Sequence, residues 1–122
     1  MIVDDQRTTR MLVRSSLREI GYKLDAVECS NGEEALQKLA AIQVRLIISD
    51  SQMPKLDGLG LLCAIRARPE LKAVPFIMLT GVGEVAAVKQ AIEAGVNGYV
   101  VKPFTLASLR KSVEAAIGPP RP

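Results

Sequence analysis

Leu46-Ile47-Ile48-Ser49-Asp50 is a short apolar run that ends in a carboxylate. Three other runs share its form. Met1-Ile2-Val3 leads into Asp4-Asp5, Phe76-Ile77-Met78-Leu79 into Thr80-Gly81, and Tyr99-Val100-Val101 into Lys102-Pro103. Short apolar runs bounded by turn residues suit strands, and the segments between them carry helical spacing. Strands alternating with helices predict an α/β fold on one parallel sheet with right-handed crossovers. All such strands end at the same carboxyl edge, where open α/β sheets bind ligands. Three carboxylates, one hydroxyl and one ammonium group are therefore expected to share one shallow site.

The patterns predict strands over 1–4, 25–29, 45–49, 75–79 and 98–101. They predict helices over 6–20, 32–41, 58–67, 84–94 and 105–117. Gly21 and Gly95 close the first and fourth helices. Ser30 or Asn31 can cap the second, whose Ala35, Leu36 and Leu39 face inward. The third ends before Pro69, and Gly118-Pro119-Pro120 stops the fifth after Leu106, Leu109, Val113 and Ile117. The last three strands read as continuous apolar runs, as expected for strands covered on both faces. One domain over 1–118 follows, with 119–122 as a frayed end or the start of a linker.

A chain of 122 residues with 48% hydrophobic and 24% charged content suits one globular core. No run is long enough to span a membrane and no leader pattern opens the chain, so a cytoplasmic protein without membrane insertion is expected. Cys29 and Cys63 form no CxxC and are expected as buried or half-buried free thiols. The absence of histidine excludes His-based metal ligation, Ser-His-Asp hydrolysis and phosphohistidine transfer. A net charge of +3 and 3% aromatics give little basis for direct nucleic-acid binding. Arg7, Arg10, Arg14 and Arg18 form a basic stripe on the first helix, with Met11 exposed among them. Leu12, Val13, Leu17 and Ile20 lie opposite. The stripe is either a solvated face or a docking surface for an acidic or mixed partner.

Neighbouring strand ends lie about 5 Å apart. Carboxylates that close repel, and their pKa values rise unless a cation joins them. Mg²⁺ suits the set, being a hard cation that uses one or two carboxylates, waters and substrate phosphate. A carboxylate beside it can attack phosphorus and become an acyl phosphate. Taken singly, Asp4-Asp5 could cap the first helix, Asp50 could be a loop acid, and Thr80-Gly81 and Lys102-Pro103 could be turns. Four such ends in one short chain favour a shared site.

Asp4-Asp5, Asp50 within Ile47 to Pro54, Asp57-Gly58, Thr80 and Lys102-Pro103-Phe104 resemble the signature of the bacterial two-component response-regulator receiver domain. The resemblance covers essentially the whole chain. Gly98 to Phe104 brings it nearest to the single-domain chemotaxis regulators. It implies a flavodoxin-like doubly wound sheet of five parallel strands in the order 2-1-3-4-5, with helices on both faces. It implies phosphorylation of Asp50 by a histidine kinase or phosphotransfer protein, assisted by Thr80 and Lys102. Asp5, Asp50 and the Gln52 carbonyl would hold Mg²⁺ directly and Asp4 through water. Lys102-Pro103 would be cis.

The same resemblance implies a switch in which Thr80 moves toward the phosphoryl group and Tyr99 rotates inward. The surface of the fourth helix, fifth strand and fifth helix then binds a target such as a flagellar motor component. Tyr99 could otherwise be an ordinary buried aromatic. Gln52 and Val82 are expected to tune phosphoryl lifetime, Val82 by shielding the site. Arg10, Met11 and Arg14 are expected to dock the kinase. The family's first strand is longer, so the natural chain is expected to start earlier.

The chain is expected to be a switch that assists only its own phosphorylation and dephosphorylation. An aspartyl-phosphate phosphatase or phosphotransferase would place an acid two residues after its nucleophile, where Gln52 stands. A phosphoryl shuttle or sink would use the same chemistry, and an unphosphorylated docking module is the third alternative. The sequence names neither kinase nor target. It leaves open homodimerisation on phosphorylation.

Overall fold

The computed structural model describes residues 1–121. Pro122, part of the expected tail, lies outside the described residues. Ten elements alternate: β1 (Ile2–Val3), α1 (Arg7–Ile20), β2 (Glu28–Cys29), α2 (Gly32–Leu39), β3 (Ile47–Asp50), α3 (Gly58–Ala67), β4 (Phe76–Gly81), α4 (Val85–Glu93), β5 (Gly98–Lys102) and α5 (Leu106–Ile117). The strands are parallel and ordered β2-β1-β3-β4-β5, the expected order.

Successive side chains of a strand point to opposite faces, and this divides the core in two. Ile2, Ile48, Ile77, Leu79 and Val100 pack with Val13 and Leu17 of α1 and with Leu109 and Val113 of α5. Val3, Ile47, Phe76 and Met78 pack with α2, with Leu61, Leu62 and Ile65 of α3, and with Ala91 of α4. Caps fix where the helices begin. Asn31 accepts the Glu34 amide at the start of α2, which settles the choice between Ser30 and Asn31. Asp57 does the same for α3 through the Gly60 amide, and Thr105 and Ser108 form a reciprocal capping box on α5. Among the described residues no helix is long and apolar enough to cross a membrane.

Several expectations are corrected. β1 and β2 have two residues each, because β2 pairs only with β1 and its ladder is as short as its partner. β3, β4 and β5 instead run further toward the carboxyl edge, to Asp50, Gly81 and Lys102. Asp50, Thr80 and Lys102 are thus strand residues, held by the ladder. β5 is not covered on both faces. Val100 is buried while Tyr99 and Val101 are exposed, because β5 is an edge strand and α4 buries only Ala91. Leu12 is exposed, whereas Ser16, one turn further along α1, is buried. Leu106 is likewise exposed at the first turn of α5. Cys29 is buried as expected, whereas Cys63 lies on the outer side of α3 and is exposed.

Gly58 sets how close α3 approaches the site. Its amide donates to the Ser51 carbonyl at 3.1 Å. A Cβ there would collide with the Asp50 carbonyl oxygen and stand 2.6 Å from Met78 Sδ. Gly58→Ala is therefore expected to lower stability by about 1–3 kcal/mol through overpacking. An unchanged urea midpoint would show that the end of β3 can move aside freely.

Candidate functional site

Strand register brings the chemistry together. Val3 pairs with Ser49, so the next residues, Asp4 and Asp50, stand at one level on neighbouring strands. Asp50 pairs with Leu79, Thr80 with Val101, and Gly81 with Lys102. The carboxylates of Asp4, Asp5 and Asp50 each offer an oxygen within 4.8 Å of the others. Asp4 and Asp50 are buried and Asp5 is exposed, so the cluster opens to solvent on the Asp5 side. Lys102 Nζ reaches across from β5 and donates to Asp50 Oδ1 at 2.9 Å. The Lys102–Pro103 peptide is cis.

Each member is held from behind. Asp4 Oδ1 accepts the Gln6 amide at 2.8 Å, and the Asp4 carbonyl accepts Arg10 Nη1 at 2.7 Å. Burial pushes the Asp4 carboxyl up to about 6, helped by the charges of Asp50 and Asp5 and opposed by the Gln6 amide and Lys102. Burial alone would lower Lys102, but its hydrogen bond to Asp50 and the charges of Asp50, Asp4 and Glu84 outweigh that and raise it. Among the described residues, two buried side-chain oxygens have no hydrogen-bond partner, Asp4 Oδ2 and Thr80 Oγ1. An unmet buried polar atom costs about 1–3 kcal/mol, so such atoms mark places arranged for something other than stability. An all-oxygen carboxylate set with one orphaned buried oxygen fits a hard divalent cation. Asp4, Asp5 and Asp50 are the side chains that can hold it.

The other predicted residues fall in different places. Gln52 is exposed, and its amide donates to Glu84 Oε1 at 2.8 Å. Val82 is 79% exposed on the loop before α4 and covers nothing in this state. Gly83 beside it has φ 88, which turns the loop outward. Tyr99 is 46% exposed on the open face of β5. Two arginines of the basic stripe on α1 are already partnered. Arg10 and Arg14 both pair with Glu28, the first residue of β2, at 3.0 and 2.9 Å, so they pin α1 to the sheet. Arg7, Met11, Leu12 and Arg18 remain exposed on that helix.

Sequence reasoning missed Glu84 and Ser51. Glu84 accepts hydrogen bonds from Ser51 Oγ at 3.2 Å, from Gln52 Nε2 and from the Gly81 amide. Its place at the predicted start of a helix made it look like an ordinary first-turn acid, and only its three-residue spacing from Gly81 hinted otherwise. A concavity of about 630 Å³ lies at the opposite edge among Tyr22, Leu24, Ile42, Val44 and Ile117, and none of Asp4, Asp5, Asp50, Thr80 or Lys102 lines it.

A buried carboxylate paired with a lysine, facing two further acids at the carboxyl edge of an open α/β sheet, has the chemistry to accept a phosphoryl group. The sequence model of the response regulator receiver domain matches residues 1–114, and the chain belongs to that family. It is 38% identical over 118 residues to a probable chemotaxis protein CheY of Rhizobium etli, covering 97% of this chain and 91% of that one. It is 40% identical over 119 residues to chemotaxis protein CheY1 of Helicobacter pylori, covering 97% and 95%. A putative response regulator from Chloroflexus aurantiacus superimposes with a TM-score of 0.86 at 35% identity, over 95% of this chain and 93% of that one. The chemotaxis response regulator CheY4 of Vibrio cholerae gives 0.82 at 30% identity, over 94% of each chain. The family expected from the motifs is thereby shown, and chemotaxis regulators are among its relatives.

The raised Asp4 carboxyl has a consequence for stability. Its folded pKa of about 6 exceeds the ordinary 3.8, so the folded state binds the proton more tightly. Without divalent cation, this contribution is expected to be lost as pH rises from about 4 to 6. Asp4→Asn should gain on the wild type across that window by about 1–3 kcal/mol. Urea unfolding in chelator at pH 4 and pH 7 measures the difference. A pH-independent difference would refute the burial argument.

Proposed function

We propose that the chain is a phosphorylation-controlled signalling switch whose acceptor is Asp50. The observation that carries this is the pairing of Asp50 with Lys102 opposite Asp4 and Asp5. Lys102 occupies Oδ1, which leaves Oδ2 as the nucleophile. That oxygen attacks phosphorus of a phosphohistidine on a partner kinase or phosphotransfer protein. The P–N bond breaks, and the imidazole leaves with the electron pair. Lys102 stays beside the product and offsets its charge. Thr80 Oγ1, buried and unpartnered, is free to donate to a phosphoryl oxygen. Mg²⁺, held by Asp5, Asp50 and the Gln52 carbonyl with Asp4 assisting through water, would neutralise the acids and polarise the phosphoryl group.

The output surface is the side of the molecule formed by α4, β5 and α5. Val85, Ile92, Tyr99, Val101 and Leu106 are exposed there, and α4 is lightly packed. Movement of Thr80 toward the phosphoryl group opens space that Tyr99 can enter, and a target protein reads the altered face. The similarity to chemotaxis proteins supports a flagellar motor component as that target and the cytoplasm as the location. The chain acts by binding, with residues 1–118 as the working unit. Gln52 supplies no acid for rapid turnover, and with Val82 it sets the phosphoryl lifetime.

Intact mass after incubation with Mg²⁺ and acetyl phosphate tests the proposal. The wild type is expected to gain one phosphoryl mass and Asp50→Asn none. An adduct on both, or on neither, would overturn the assignment.

The kinase contact is expected at Met11 and Leu12 rather than at the arginines already paired with Glu28. Met11→Ala should slow transfer from the cognate kinase several-fold. It should leave labelling by acetyl phosphate unchanged, since the small donor does not touch α1. Equal kinase rates for variant and wild type would move the docking face elsewhere.

A further inference from the structure

Three donors beside the reacting centre converge on one side chain that has no part in the chemistry above. Ser51 follows Asp50, Gly81 follows Thr80, and Gln52 lies one residue further on. The Ser51 hydroxyl, the Gln52 amide and the Gly81 N–H all donate to the carboxylate of Glu84. Glu84 occupies the N-cap position of α4 yet caps no amide of that helix. Its side chain turns back toward the sheet instead. It lies near enough to Lys102 to contribute to that residue's raised pKa. One internal anion thus ties the loop after β3 to the loop after β4, at the edge where a second anion is due to arrive.

We infer that Glu84 is a stand-in anion that holds the unmodified state and is displaced when Asp50 is phosphorylated. This rests on Asp50 being the acceptor. A phosphoryl group brings nearly two negative charges and three acceptor oxygens that need donors. The Gly81 N–H belongs to the residue after Thr80, one step along β4 from the hydroxyl proposed to meet the new group. Two anions cannot share these donors without repulsion, and the one tethered only by its side chain is the one to move. A hollow of about 120 Å³ bounded by Gln52, Asp57, Met78, Ala87 and Glu84 gives the carboxylate room to swing. Its departure unties the Gly81–Glu84 turn from Ser51 and Gln52. Gly83 carries φ 88 with nothing within 4 Å of a Cβ built there, so the turn is free to change shape. The first turn of α4 moves with it. Glu84 is therefore a positioning residue that converts charge at Asp50 into displacement of α4.

The test is an amide NMR titration with beryllofluoride in Mg²⁺ on the wild type, Glu84→Gln, Glu93→Gln and Asp50→Asn. Glu84→Gln keeps the size and an acceptor oxygen and removes only the charge; Glu84 is half-exposed, so the fold should survive. Glu93, exposed at the far end of α4, controls for net charge. Glu84→Gln is expected to bind beryllofluoride about tenfold more tightly, the scale of one lost charge-assisted bond. Its Gly81 amide signal should already be displaced before any addition, and Glu93→Gln should match the wild type in both respects. Equal affinities for wild type and Glu84→Gln, or an equal gain in Glu93→Gln, would overturn the inference while leaving Asp50 as acceptor. A wild type that responds no more than Asp50→Asn would overturn the acceptor assignment, and this inference with it.

Discussion

Mutual repulsion of three carboxylates, answered from across the sheet by one lysine, is the constraint that organises this molecule. Asp4, Asp5 and Asp50 stand within reach of a common ion, and Lys102 touches only Asp50. The balance is incomplete by design of the fold. Asp4 keeps a raised pKa and an orphaned oxygen, so the site holds more negative charge than one ammonium group can settle. Such a site gains by accepting a divalent cation. The lysine also leaves one oxygen of Asp50 uncommitted, so the interaction that holds the residue in place does not block it.

Topology creates this constraint. Placing β1 and β3 side by side puts Asp4 and Asp50 at one level, and placing β5 beyond β4 makes Lys102 reach across one intervening strand. The two halves of the core have unequal duties. Under α1 and α5 the packing is closed by Val13, Leu17, Leu109 and Val113. On the other face α3 is anchored by Leu61, Leu62 and Ile65, while α4 contributes Ala91 alone. The sheet is therefore rigid near β3 and loosely covered near β5, and both conditions meet at the end of β4.

Local signals made most of this readable from the chain. Apolar runs and their terminal residues located the strands and gathered the candidate site residues at one edge, because both are properties of short segments, whereas the strand order came from the resemblance to receiver domains. Features set by distant partners were not readable. The pairing of Arg10 and Arg14 with Glu28 spans 18 and 14 residues, so a stripe that looked available on a helical wheel was already occupied. Glu84 finds Ser51 and Gln52 across 33 and 32 residues. Leu12 is exposed and Ser16 buried on α1, the reverse of what their polarity alone suggests. The open face of β5 likewise depended on how far α4 would sit from it, which periodicity does not encode.

The modest hold on α4 sets a scale. A single modified side chain can offer a few new charge-assisted bonds, a perturbation commensurate with undocking one alanine and two exposed turns. It is not commensurate with lifting three buried aliphatic side chains such as those of α3. An element must be nearly free already if so small a signal is to repopulate its conformations. The sparse interior beneath α4 thus decides in advance which surface of this scaffold is the easiest to change.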